Sequence, residues 1–187
     1  MHDVAERYVA ALAELDGHVG RIDAEQWTNP TPCTDWDVRA LVDHLVYETL
    51  WVPDLIAGKT LAEVGDRYDG DRLGDDPVAA WHRASAAAAR GVRSATQGVE
   101  VHTSGGKLTA DAYLTEMLFD AVIHGWDLAR GIEVAHAIPD DVARDLEVWL
   151  TPLVGGMVSF GSTSQPVDVG AEGDAATRLV ALTGRTP

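Results

Sequence analysis

Apolar positions recur along most of this chain at the three-and-four spacing of helix faces, and the runs are separated by proline, glycine and capping residues. Val4, Tyr8, Ala11, Leu12 and Leu15 share one face of a first helix running from about Val4 to Gly17 or slightly beyond. The stretch Trp27 to Cys33, with Pro30 and Pro32, breaks the pattern. A second helix is expected after Thr34 or Asp35, where Thr34 and Asp37 resemble a capping box with Asp in place of Glu. It reaches about Ile56 and carries the stripe Val38, Leu41, Leu45, Val52 and Ile56. Gly58 to Asp76 is rich in Gly and Asp and reads as a long loop with a short helical turn near Leu61 to Val64. Pro77 suits the first position of a third helix reaching about Ser94, capped by Asp75 or Asp76.

Gly98 to Gly106 is polar and β-tolerant, which fits a short extended excursion or a hairpin. Thr109 caps a fourth helix from Ala110 to Arg130 that Gly131 ends. A fifth helix follows Pro139, from Asp140 to about Val154, with room to continue past Gly155 and Gly156. A short strand at Pro166 to Val169 and a last helix from Ala175 to Leu182 complete the pattern. The fold class is therefore all-α: a helical bundle with short additional helices and a minor strand or hairpin. At 187 residues it is read as one domain, 1–187.

Composition narrows the partners. Lys and Arg number 14 against 30 Asp and Glu, a formal net charge of -16 with no basic stripe, so no nucleic-acid partner is expected. Apolar stretches such as Leu146 to Val158 fall short of the ~20 residues of a membrane span. The start, Met1 to Arg7, is polar and amphipathic and unlike a signal peptide. A cytoplasmic protein with no membrane partner is the expectation, and a single cysteine, Cys33, fits a reducing compartment.

Candidate chemistry lies on the second and fourth helices. Asp120 and His124 are four apart and share a helix face, at the edge of a buried stripe formed by Leu114, Leu118, Ala121, Gly125 and Leu128. His44 falls inside or beside the apolar stripe of the second helix, and packing of the two helices would bring it to the pair. Two imidazoles and a carboxylate suit zinc first, with nickel, iron or manganese as further candidates. Three protein ligands with an open position form a catalytic pattern, whereas four closed ligands signal structure. Glu48, one turn beyond His44, is then a fourth ligand, a partner orienting a histidine, or a general base. The paired Glu-x-x-His motifs of a di-iron bundle are not present. Without a metal, spacing of this kind also arises by chance among seven histidines.

Asp127 reads as a helix-end or hydrogen-bonding residue, and His2, His18, His82, His102 and His136 as solvated. Cys33 precedes a helix N-terminus, where a thiolate is stabilised. At ~1.5 Å rise per residue, however, the helix between Trp36 and His44 puts that end roughly 12 Å from the metal ligands, so a buried structural cysteine is expected. Trp51 and Trp126 are the candidates for lining a ligand cavity.

Pro30-Thr31-Pro32-Cys33 with Trp36, Val38, Leu41 and His44, then Asp120 and His124 with Trp126-Asp127-Leu128-Ala129, and the ending Arg178 to Arg185 together resemble one known group. The chain is similar to the DinB/YfiT-like metal-binding superfamily, in its actinobacterial branch related to the N-terminal domain of mycothiol-dependent maleylpyruvate isomerase. The resemblance implies a DinB-like four-helix bundle with a metal held by His44, Asp120 and His124. Relatives often carry Glu where Asp120 stands, so a shorter side chain must span the ligand distance here. Related enzymes use the metal to activate the thiol of mycothiol or bacillithiol for transfer or isomerisation. Because the sequence ends soon after the bundle, the isomerase's substantial C-terminal domain is not expected here, a departure that counts against the isomerase reaction itself. Exposed helix faces in this superfamily often pair, which makes a homodimer an expectation.

Three functions follow from this reading. The first is a metal-dependent, mycothiol-type thiol S-transferase or isomerase acting on a small electrophile. The second is a hydrolase using metal-bound water, with Glu48 as the base. The third is a non-catalytic metal- or small-ligand-binding protein.

Overall fold

A computed structural model describes residues 2–96, 98–170 and 173–187, with the side chain of residue 2 excepted. The chain forms two compact units, Met1–Val134 and Ala135–Pro187.

In the first unit the predicted helices form where the apolar periodicity places them. They are α1 (His2–Val19), α2 (Val38–Ile56), the short α3 (Leu61–Val64), α4 (Pro77–Ser94) and α5 (Ala110–Gly131). A hairpin of β1 (Glu100–Thr103) and β2 (Gly106–Thr109) occupies the β-tolerant segment, with Val101 opposite Leu108. Capping residues fix the starts. Asp76 accepts from the Ala79 N–H with Pro77 in the first turn, and Thr109 accepts from the Ala112 N–H. For α2 the cap is Asp37, not Thr34: Asp37 Oδ1 accepts from the Ala40 N–H at 2.8 Å. The capping box appears instead at α3, between Thr60 and Glu63.

Helices α1, α2, α4 and α5 make the bundle. α2 packs on α4 and α5, and α1 packs on α5 and α4. The stripe Val38, Leu41, Leu45, Val52 and Ile56 faces inward as its period requires, meeting Tyr8, Leu12 and Leu15 of α1, Trp81 and Ala88 of α4, and Leu114, Leu118 and Leu128 of α5 in a shared interior. A glycine permits close packing of α4 on α2: a Cβ on Gly91 of α4 would lie 3.1 Å from Cα of Pro53 on α2. The fold is the all-α, DinB-like bundle with a minor hairpin.

The second unit holds α6 (Asp140–Leu150), α7 (Val154–Ser159) and α8 (Ala175–Leu182), with α6 packed on α8. The Arg178 guanidinium grips both carboxylate oxygens of Glu147, at 2.7 and 2.8 Å. Two expectations change here. The fifth helix stops at Leu150, before Pro152, and resumes only as α7. Pro166 to Val169 forms no strand: among the described residues no second strand pairs with it, and the Val167 N–H donates to the Ala181 carbonyl. Among the described residues, no helix is long and apolar enough to cross a membrane.

Candidate metal centre

Antiparallel neighbours α2 and α5 bring His44, Asp120 and His124 together. One ligand atom from each lies within 4.8 Å of the other two. Asp120 Oδ1 is the hinge of the group, 3.1 Å from His44 Nε2 and 3.5 Å from His124 Nε2. The ring centroids of the two histidines are 4.9 Å apart, edge to face. All three side chains are mostly covered, with 21, 25 and 12% of their surface left for His44, Asp120 and His124. The shorter Asp side chain therefore reaches both imidazoles.

Whether this set suits a cation can be decided from its donors. Ligands about 2.0–2.1 Å from a tetrahedral zinc are about 3.3 Å from one another, and the two spacings at Asp120 bracket that value. On the far side of His124, Nδ1 lies 3.0 Å from Oδ2 of the fully buried Asp127. A carboxylate only accepts, so Nδ1 carries the proton and donates it to Asp127. His124 Nε2 then points a lone pair at Asp120 Oδ1. Two acceptors facing each other at this distance suit a positive centre between them.

Glu48 sits one turn along α2, half-buried. It is not one of the three residues whose ligand atoms lie within 4.8 Å of one another. Burial raises its pKa above the usual carboxylate range, the Asp120 charge adds to that rise, and His44 and His124 partly offset it. Burial works against a charged His44, but the hydrogen bond and charge of Asp120, then the charges of Glu48 and Asp43, carry its pKa above the ordinary value. Deeper in the bundle, burial holds the phenols of Tyr8 and Tyr113 far above their ordinary range, with the Glu48 and Asp120 carboxylates adding to the effect. Both phenols stay protonated and can only act as neutral hydrogen-bonding groups.

The roof of the site is a part the periodicity did not foresee. Trp36 lies over both imidazoles, its ring centroid 4.5 Å from His44 and 5.5 Å from His124. It is carried there by the segment between α1 and α2, which folds back over the end of α5. The Asn29 side chain donates to the Gly131 carbonyl, Gln26 donates to the Ile132 carbonyl, and Thr31 Oγ1 reaches the Cys33 and Trp36 carbonyls. Only glycine allows this approach, since a Cβ at 131 would lie 2.9 Å from Val38 Cγ2 and 3.2 Å from Thr31 Cγ2. The same fold-back corrects the distance expected for Cys33. Its sulfur falls within 4.8 Å of a ring nitrogen of His124 and a carboxylate oxygen of Asp127. Counting rise along α2 missed this, because α2 starts only at Val38 and the residues before it run back toward α5.

Other expectations are redistributed. Trp51 packs on Tyr47 and Tyr68, and Trp126 lies beneath the Arg130 guanidinium. His18 is buried, at 5% exposure, where a solvated residue was expected, while His82 is exposed. The side chain of His2 lies outside the described residues.

Residues 8–129, which contain the whole trio, match the mycothiol maleylpyruvate isomerase N-terminal domain family. An uncharacterized protein of Mycobacterium tuberculosis, matched in the CDC 1551 / Oshkosh and H37Rv strains, is 26% identical over 156 residues, which cover 82% of this chain and 78% of that protein. No solved structure matches. With the family match spanning well over half of the chain and all three residues of the trio, the chain belongs to the mycothiol maleylpyruvate isomerase N-terminal domain family, a metal-binding, mycothiol-related group with the DinB-like fold.

Proposed function

We propose that this protein binds one divalent cation, zinc foremost, through His44, Asp120 and His124, and transfers or isomerises a small electrophile with a mycothiol-type thiol. The observation that carries the reading is the convergence of His44 Nε2, Asp120 Oδ1 and His124 Nε2 from two helices, with Glu48 one turn away. A cation there acidifies a thiol and holds its sulfur close to an electrophile. The chain's own groups do the rest. Glu48, with its raised proton affinity, is suited to accept the thiol proton, since a base works best when its pKa approaches the working pH. Trp36 shields the site from water and offers a flat apolar wall to the bound molecules. The neutral phenols of Tyr8 and Tyr113 keep the interior beneath from adding further negative charge.

The test begins with the metal content of the purified protein. The zinc-loaded protein is then mixed with mycothiol and monochlorobimane, and conjugate fluorescence is followed. Conjugation above the rate of the protein-free mixture is expected. A fully loaded protein that leaves this rate unchanged, with monochlorobimane and with a panel of smaller electrophiles, overturns the thiol-transfer reading.

A further inference from the structure

We infer that Asp127 is a positioning residue that locks His124 in its Nδ1–H tautomer and so dedicates Nε2 to the cation. This rests on the metal reading above and deepens it. The Asp127 carboxylate is fully buried and lies 3.0 Å from His124 Nδ1, on the same helix and one turn on. Its position is costly on two counts. A buried carboxylate must be compensated, and this one stands in the last turn of α5, where the helix carbonyls already present negative charge. Packing alone would favour an apolar residue at such a place. The imidazole N–H contributes to that compensation, with the Cys33 sulfur within 4.8 Å of both partners and the Trp36 ring centroid 5.5 Å from that of the imidazole.

The consequence is directional. His124 turns one nitrogen to Asp127 and the other to Asp120, so the tautomer set by the first contact decides what the second can do. A proton on Nε2 would block the cation. Outer partners of this kind orient metal-binding histidines and fix which ring nitrogen faces the metal. His44 is held differently: its Nε2 contacts Asp120 itself. The two histidines are therefore unequal, one set by a dedicated partner and one free to trade a hydrogen bond for a cation.

The experiment uses histidine-labelled protein and long-range proton–nitrogen correlation spectra recorded without metal, followed by zinc titration against a chromophoric chelator. In the wild type, His124 should show the Nδ1–H pattern. Asp127→Asn, whose amide oxygen still accepts the bond, should keep that pattern and bind zinc about tenfold more weakly; Asp127→Leu should lose it and bind up to about 100-fold more weakly. A wild-type His124 protonated on Nε2 overturns the inference, as does a folded Asp127→Leu protein that keeps the tautomer and binds within threefold of wild type. If Asp127→Leu does not fold, the wild-type spectrum and Asp127→Asn still decide. A wild-type protein with the Nδ1–H pattern but no zinc binding leaves the tautomer lock standing and removes the metal reading, so the two failures are distinct.

Discussion

Helix α2 carries two polar clusters, around His44 and Asp54, nearly three turns apart, and they treat a carboxylate in opposite ways. Asp54, near the end of the helix, is met by Lys59 Nζ at 2.6 Å, Arg67 Nη1 at 2.5 Å and the Tyr68 hydroxyl at 2.7 Å. Burial alone would raise its pKa, but the hydrogen bonds from Lys59 and Tyr68 and the charges of Lys59 and Arg67 outweigh it and hold the carboxyl below its ordinary range. Glu48, six residues earlier, is pushed the other way, by burial and by the Asp120 charge. Asp54 is a finished ion cluster whose positive charge comes from within the chain, and it fastens the loop after α2 to the helix. At the trio the positive charge available from the chain is that of imidazoles, which are neutral at ordinary pH unless a carboxylate holds their proton. A cluster that balances itself is structural. One that gathers acceptors around a common point is suited to take its positive charge from outside.

That contrast breaks most sharply at His124. Replacement by Ala should abolish stoichiometric zinc binding, measured by elemental analysis after dialysis, while Asp54→Asn should leave it unchanged. Retained zinc in the first variant would refute the ligand assignment, and lost zinc in the second would mean that the two clusters are not independent. The next effect belongs to Glu48. Glu48→Gln keeps size and hydrogen-bonding capacity but cannot take a proton, so thiol conjugation should fall by about 100-fold, at the lower end for a general base, with zinc affinity within about threefold. Equal losses of rate and zinc would instead make Glu48 a ligand. Smaller again is the stability term. Asp54→Asn should cost about 1–2 kcal/mol in urea unfolding, because the side chain is nearly buried while Lys59 and Arg67 are about half exposed and partly screened.

These clusters were unequally legible in the sequence, for a physical reason. His44, Asp120 and His124 stand on long helices whose period is written in Leu41, Leu45, Leu114 and Leu118, so the face each residue occupies follows from counting. Helix ends were legible wherever a capping side chain and a proline or glycine agree, as at Asp76-Pro77 and Thr109. Cys33, Trp36 and the Asp54 cluster depend instead on segments without a period. The segment holding Cys33 and Trp36 is placed by Gln26 and Asn29 reaching carbonyls about a hundred residues away, and Asp54 meets its partners through the loop that contains Arg67 and Tyr68. Asp127 was visible at three residues from His124, but its spacing alone could not distinguish a helix-end residue from one aimed at an imidazole. Pro166 to Val169 shows the converse: residues tolerant of a strand make none without a neighbour to pair with.

The finest discrimination between the clusters comes from acid. Asp54 has a folded-state pKa below its unfolded value of about 3.9, so the unfolded chain binds more protons in that window and stability rises with pH through it. The contribution of Asp54 is therefore fully present above about pH 4 and is lost as pH falls through the folded-state value. Asn cannot titrate. The stability gap between wild type and Asp54→Asn should thus be flat from about pH 7 to 5 and narrow below about pH 4, as the wild type loses what the variant never had. Because Lys59 and Arg67 are half exposed, raising the salt concentration should shrink the gap at pH 6 as well. A gap that stays constant to pH 3, or that widens on acidification, would show that Asp54 acts through packing and not through its charge, and the distinction between a self-balanced cluster and one that recruits a cation would lose its structural reference.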